Sequence, residues 1–241
     1  MEENIIRKDI DITQPLTDEQ LEMLKQAEAA PVVFDEDCPE LTEEQLSEFR
    51  RIRKFYIADT HFGHKNILRF DGRPWFDLTS MQDDMIALWN KKVRKCDIVY
   101  ILGDFCWGTA DDWRKILPRL HGKKFLILGN HDLKQFPEDI RRMFVEITPF
   151  KEVHDGEYHI TLCHYPMITY KHSSSPCSLM FYGHVHRSVE FEAVKRAVAA
   201  HKEYCEKNMF SYQGKLYNCW CGFYDYAPAT LEEIINSRTN H

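Results

Sequence analysis

The sequence has no CxxC pair among its eight cysteines, and no apolar run approaches the roughly 20 residues of a membrane-spanning helix. Widely spaced cysteines argue against a disulfide framework, and the single close pair, Cys219-Trp220-Cys221, is weak evidence for a structural zinc site. The first residues, 1–4, lack the basic and apolar regions of a secretory signal. We therefore expect a cytoplasmic protein with reduced thiols and no membrane partner.

Basic residues are scarce at the N-terminus. Residues 1–50 hold 15 Asp and Glu against 4 Lys and Arg, whereas residues 51–241 hold 23 against 27. The first part repeats a Leu-Thr-x-x-Gln-Leu pattern, beginning at Leu16 and Leu41. Thr followed by Gln three residues later starts a helix, so we predict short helices at about 17–29 and 42–51. We interpret residues 1–50 as an acidic, weakly helical extension, either a solvated arm or a segment that binds a protein partner.

The rest of the chain alternates apolar runs of strand length with segments of helical periodicity, which is typical of an α/β fold with parallel strands. Five of these apolar runs end in polar residues. The runs are followed in turn by Asp59-Thr60-His61, Gly103-Asp104, Gly129-Asn130-His131-Asp132, His164 and Gly183-His184-Val185-His186. Polar groups at the ends of buried strands are poorly placed for packing and well placed for chemistry.

These segments supply two carboxylates, one amide and four imidazoles. The seven candidate ligands are Asp59, His61, Asp104, Asn130, His164, His184 and His186. A single histidine in a sequence is more often structural than a ligand, but seven such groups in one pattern indicate a metal centre. Nitrogen and oxygen donors without thiolates suit Mn, Fe, Zn, Ni or Co better than a structural zinc.

The order D-x-H, G-D, G-N-H-D, H and G-H-x-H resembles the calcineurin-like metallophosphoesterase superfamily, over roughly residues 53–235. The run from Ala58 to Ile67, the segment Arg73-Pro74-Trp75 and the stretch from Tyr226 to Glu233 resemble small bacterial and phage phosphoesterases most. The resemblance implies that residues 51–241 form one such domain. It also implies a four-layer α-β-β-α sandwich of two facing β-sheets flanked by helices, with the metal site at the carboxyl ends of the strands.

The same resemblance implies two divalent transition-metal ions, with manganese favoured. One ion would take Asp59, His61, Asp104 and His186, and the other would take Asp104, Asn130, His164 and His184, so that Asp104 bridges them. A metal-bridging hydroxide would then hydrolyse a phosphate monoester or diester. His131 would protonate the leaving group as a general acid, and Asp132 would hold the His131 tautomer.

Several assignments stay open on the sequence alone. His64 either contacts substrate or caps a helix, and Arg73 either binds phosphate or lies on Trp75. Trp107, Tyr165 and Tyr170 either form a base-stacking wall, with a nucleotide or nucleic acid as substrate, or pack in the core.

Two features depart from the family pattern. Many superfamily members have an acidic residue where this chain has Trp107, and a helical segment after His186 is inserted where it could wall the cleft. A different function is a catalytically silent binding module that keeps the fold and acts through its acidic arm.

Overall fold

A computed structural model describes residues 17–29, 39–42 and 51–237. The chain divides into two units, residues 1–50 and 51–241. In the first unit, helix α1 spans Asp18–Ala29, and the predicted helix at about 17–29 is therefore confirmed. Its start is capped as expected: the backbone N–H of Gln20 donates to Thr17 Oγ1, and the backbone N–H of Thr17 donates to Gln20 Oε1. Most of the predicted helix at 42–51 lies outside the described residues.

The first sheet of the second unit is entirely parallel, with strands in the order β1-β2-β3-β4. These strands are Lys54–Ile57, Ile98–Leu102, Lys123–Ile127 and Phe144–Thr148. Helices connect them: α2 is Ile67–Phe70, α3 is Leu78–Lys92, α4 is Ala110–Ile116 with a following 3-10 turn at Leu117–Arg119, and α5 is Glu138–Arg141. The parallel pairing predicted from the alternation of apolar and helical segments is confirmed.

The second sheet has the order β5-β6-β7-β8, in which β5 and β6 are antiparallel and the other pairs are parallel. Its strands are Phe150–Asp155, Tyr158–Cys163, Ser178–Tyr182 and Leu216–Asn218. Helix α6, Val189–Lys207, lies between β7 and β8, and α7, Leu231–Ile235, follows a 3-10 turn at Cys221–Phe223. Within the described part of the chain, no helix is both long enough and apolar enough to cross a membrane.

Alternate side chains of each strand face different layers, as the period of two in a β-strand requires. Tyr56 points between the sheets, where its ring lies 4.9 Å from Phe181 of the second sheet. Its neighbour Phe55 points outward and packs in a cluster with helices α3 and α4. On the far side, Met180 packs against Phe191 of α6. The predicted four-layer sandwich of two sheets flanked by helices is confirmed.

One predicted helix start is wrong. The spacing of Thr79 and Gln82 in the sequence predicts a capping pair that starts a helix. Helix α3 instead begins at Leu78, and Asp77 accepts a hydrogen bond of 2.8 Å from the Ser80 backbone N–H. Gln82 instead accepts a hydrogen bond of 2.8 Å from the amide of Gly63. A carboxylate two residues earlier in the sequence binds the free backbone amides instead, and Gln82 is therefore available to bind the first strand-end loop.

The parallel pairing brings the strand-end loops to shared edges, and glycine allows them to approach. Gly103 has φ +82°, and a Cβ there would lie 2.7 Å from the Cα of Gly129 and in direct collision with the His164 ring. A side chain at this position would therefore force apart three segments that carry candidate ligands.

We expect Gly103→Ala to destabilise the domain more than Gly156→Ala, which is a matched control. Gly156 also has positive φ, +58°, but a Cβ there would meet nothing within 4 Å. Both variants carry the backbone cost of about 1–2 kcal/mol for a left-handed residue, and Gly103→Ala adds about 1–3 kcal/mol of overpacking. Urea unfolding of the two variants measures the difference, and equal losses would show that the loops are not tightly packed.

Candidate metal centre

Five of the seven candidate ligands have left-handed backbone conformations. Their φ angles are 56° for Asp59, 49° for His61, 52° for Asp104, 71° for His184 and 46° for His186. Positive φ is uncommon for residues other than glycine, and it persists only where surrounding contacts enforce it. The three turns that carry these five residues are therefore bent sharply at the strand end, and this directs their polar side chains toward one another.

One group of donors combines Asp59, His61 and His186, whose possible ligand atoms all lie within 4.8 Å of one another. The two Nε2 atoms of His61 and His186 are 3.2 Å apart, and Asp59 Oδ1 is 3.7 Å from His186 Nε2. Asp59 is fully buried, and both of its carboxylate oxygens accept the backbone N–H of His184. The first and last ligand segments of the chain are thus joined directly.

A second group combines Asp104, His164 and His184, again with possible ligand atoms within 4.8 Å. Asn130 adds its amide oxygen, which lies 3.0 Å from His164 Nε2. All seven residues identified in the sequence are therefore brought to one place, although they come from five different strand ends.

Asp104 lies between the two groups. Its Oδ2 is 3.7 Å from His61 Nε2 in the first group, and its Oδ1 is 3.6 Å from His164 Nε2 in the second. The backbone N–H of His131 donates to the same Oδ1 at 2.9 Å, which fixes the carboxylate. A buried carboxylate that faces an imidazole on each side can contact two cations at once.

The hydrogen bonds of the imidazoles fit metal binding. His164 Nδ1 donates to the Leu102 carbonyl at 2.8 Å and His186 Nδ1 donates to Asp71 at 2.7 Å, so Nε2 is the nitrogen that each ring can offer to a cation. Burial alone would lower the pKa of His186, but the hydrogen bond to Asp71 and the nearby charge of Asp59 outweigh it and raise the pKa, so a cation at Nε2 would have to displace a proton. Burial lowers the pKa of His61 well below its usual value, which keeps this ring neutral. Burial also raises the pKa of Asp59 to about 7, so a nearby cation would be needed to keep the carboxylate fully ionised. The donor set therefore fits divalent cations.

Asp71 is a functional candidate that the sequence analysis did not identify. Its Oδ1 accepts the His186 hydrogen bond, and its Oδ2 accepts hydrogen bonds of 3.0 and 3.2 Å from Arg73. Burial alone would raise the pKa of Asp71, but the bonds from His186 and Arg73 outweigh it and lower the pKa. In the sequence, only the position of Asp71 two residues before Arg73, in the loop that resembles the family, could have indicated a functional role.

Arg73 does not face a substrate. Its guanidinium is buried and donates to the backbone carbonyls of Thr60 at 2.7 Å and Asp59 at 2.9 Å. It also lies over the ring of Tyr226 at 5.6 Å, not on Trp75 as the sequence suggested. The structure therefore corrects both interpretations, because the donors of Arg73 are used to join its own loop to the first ligand-bearing turn.

Asp132 also differs from its predicted role. Its two carboxylate oxygens accept backbone N–H groups of Gly129 at 2.8 Å, Phe105 at 2.9 Å and Asp104 at 3.1 Å. Within the described residues, its hydrogen bonds go to these amides and not to the His131 ring. Asp132 thus holds the turns after β2 and β3 together, and it does not fix the imidazole of its neighbour.

His64 and His131 line a cavity of about 500 Å³ beside the ligands, and Trp107 lines it with them. Trp107 is 40% exposed, and Tyr165 is 46% exposed with its ring 4.7 Å from that of His184. Of the two interpretations, core packing is therefore wrong for Trp107 and Tyr165. Tyr170, in contrast, is buried and packs in the core.

A second cavity of about 550 Å³ adjoins the first, and both are lined by His184 and His186. Ser188 and Glu190, at the start of the inserted helix α6, contribute to its wall. The expectation that this insertion could wall the cleft is thus confirmed for its N-terminal end. The ligands consequently lie at the junction of two cavities with room on both sides.

Comparison with known proteins supports this description. The family model of calcineurin-like phosphoesterases matches residues 53–188. An uncharacterised protein of Methanocaldococcus jannaschii is 38% identical over 114 residues, which cover 46% of this chain and 64% of that protein. The gene 66 protein of Mycobacterium phage L5 is 36% identical over 85 residues, which cover 32% and 39%. The alignments thus span less than two thirds of either relative.

A solved structure extends the comparison to the fold. A protein of unknown function from Aquifex aeolicus is 26% identical, with a TM-score of 0.54, and the match covers 76% of this chain and 97% of that one. The shared architecture therefore reaches beyond the segment that the family model matches.

Proposed function

Because this chain belongs to the calcineurin-like phosphoesterase family, we propose that it hydrolyses a phosphate ester with two divalent metal ions. The observation that supports the use of two ions is the position of Asp104, whose carboxylate oxygens lie 3.7 Å from His61 and 3.6 Å from His164. One donor group extends from each side of this carboxylate. A single-ion site would not need two such groups.

In this proposal, one set of residues binds the ions and another residue transfers a proton. Asp59, His61 and His186 would hold one ion and Asn130, His164 and His184 the other, with Asp104 shared. When bound, such ions attract the phosphate, stabilise its developing charge and activate water. His131 lines the adjoining cavity without belonging to either donor group, so it is free to donate a proton to the leaving oxygen.

Metal reconstitution tests the proposal. The protein stripped with a chelator would be supplied with Mn, Fe, Zn, Ni or Co in turn and assayed on phosphomonoesters and phosphodiesters, while bound metal is counted. We expect two equivalents of metal and hydrolysis of at least one ester class. Binding of two ions with no hydrolysis of either class would instead favour the silent binding module.

We expect Asp71→Ala to weaken metal binding by about 10–100-fold, the usual effect of removing a carboxylate that orients a metal-binding histidine. Without the 2.7 Å hydrogen bond to Asp71, the His186 ring loses its fixed tautomer and part of its basicity. Asp71→Asn keeps an acceptor for His186 and should therefore lose less. Metal titration by calorimetry measures both variants, and equal affinities for Asp71→Ala and the unmodified protein would contradict the role.

A further inference from the structure

The ring of His131 is placed by contacts with other rings. Its backbone N–H is bonded to Asp104, but among the described residues no group hydrogen-bonds to the imidazole itself. The ring centroid lies 4.5 Å from that of Trp107 at an interplanar angle of 45°, and 5.9 Å from that of His61. The Asp132 carboxylate is bonded to three backbone amides and does not hold the imidazole. Trp107, whose ring is nearer than that of His61, is therefore the group that can restrict the imidazole.

Trp107 has further contacts of its own. Its ring stacks on His64 with centroids 4.3 Å apart and an interplanar angle of only 12°. Its backbone N–H donates to the Phe62 carbonyl at 2.7 Å, and its own carbonyl lies so close to Gly63 that a Cβ there would collide with it. These contacts restrict the movement of the indole, so the indole can in turn restrict the rotation of a neighbouring ring.

From this geometry we infer that Trp107 is the positioning residue for His131, a role that rests on the proposed function of His131 as the general acid. An unbonded imidazole beside a cavity would otherwise sample several rotamers, of which few reach the leaving oxygen. A bulky ring at 4.5 Å removes part of that freedom. A displacement of about 1 Å from the productive position costs as much as about 10²-fold in rate.

The inference predicts a selective kinetic defect. For an alkyl phosphate ester, whose leaving group must be protonated, Trp107→Ala should lower kcat by about 10–10²-fold. For p-nitrophenyl phosphate, whose leaving group needs little protonation, kcat should fall far less. KM and the two equivalents of metal should be unchanged, and Trp107→Phe should recover most of the loss because it restores a ring.

A double-mutant cycle separates positioning from general damage. In a His131→Ala background, Trp107→Ala should have almost no further effect, since the group it positions is gone. Phe76→Ala is the control for loss of an exposed aromatic residue, because Phe76 is fully exposed and does not line the cavity. If Trp107→Ala unfolds, Trp107→Leu replaces it, because leucine keeps apolar bulk without a ring.

An NMR measurement on the metal-loaded protein supplies a readout besides activity. The Trp107 ring current should shift the carbon-bound ring protons of His131, and the shift should disappear in Trp107→Ala or Trp107→Leu. Equal losses of kcat on both esters, additive effects in the cycle, or an unchanged His131 spectrum would each overturn the inference while leaving an active wild-type phosphoesterase. An unmodified protein that hydrolyses neither phosphomonoesters nor phosphodiesters with any metal would instead overturn the proposed function on which the inference rests.

Discussion

Asp104→Ala is expected to remove both metal ions and to lower kcat/KM by at least about 10³-fold. Bound ions supply several kcal/mol of transition-state stabilisation, and each ~1.4 kcal/mol corresponds to a factor of ten. Asp104 is buried between the two donor groups, so its loss removes the one negative charge that both groups share. The remaining imidazoles would have to hold two cations whose repulsion is less screened.

The control for this variant is Asp97→Asn. Asp97 is also fully buried, but it pairs with Arg53 at 2.6 Å and does not belong to either donor group. Its substitution should lower the free energy of unfolding and leave two equivalents of metal bound. Metal analysis of both variants after gel filtration is the measurement. If Asp104→Ala kept one tightly bound ion, Asp104 would belong to a single site, and if it kept two, it would not be a ligand.

His131→Ala is expected to lower kcat by about 10²–10⁴-fold without releasing metal, because general acids typically contribute that much and His131 lies outside both donor groups. The loss should be largest for esters with poor leaving groups and smallest for p-nitrophenyl esters. A series of aryl and alkyl phosphates therefore measures the role directly, through the dependence of kcat on leaving-group pKa.

His154→Ala is a matched control, since His154 is an exposed histidine of β5 that does not line either cavity beside the ligands. It should show no change in kcat with any ester. Uniform losses for His131→Ala across the whole series would contradict the acid role and would point to binding of the phosphate. Loss of metal from this variant would show that His131 supports the ligand turns.

The sequence alone determined the strand-forming runs, the parallel pairing at the centre of the fold and the seven candidate donors. Apolar runs such as 98–102 and 125–128 are short and nearly continuous, and a strand buried on both faces requires this pattern. Since carboxyl ends of parallel strands meet at one edge, the polar residues that follow such runs must lie near one another. The convergence of Asp59 and Asp104, which follow the neighbouring parallel strands β1 and β2, could thus be predicted without coordinates.

Only the tertiary structure decided which carboxylate supports which imidazole. Asp132 is adjacent to His131 in sequence but is bonded to backbone amides, whereas Asp71 supports His186 from 115 residues away. The reason is that sharp turns leave N–H groups without partners, and a nearby buried carboxylate satisfies them before any side chain. For five of the seven donors, the direction of the side chain then follows from left-handed backbone angles, which sequence adjacency does not specify.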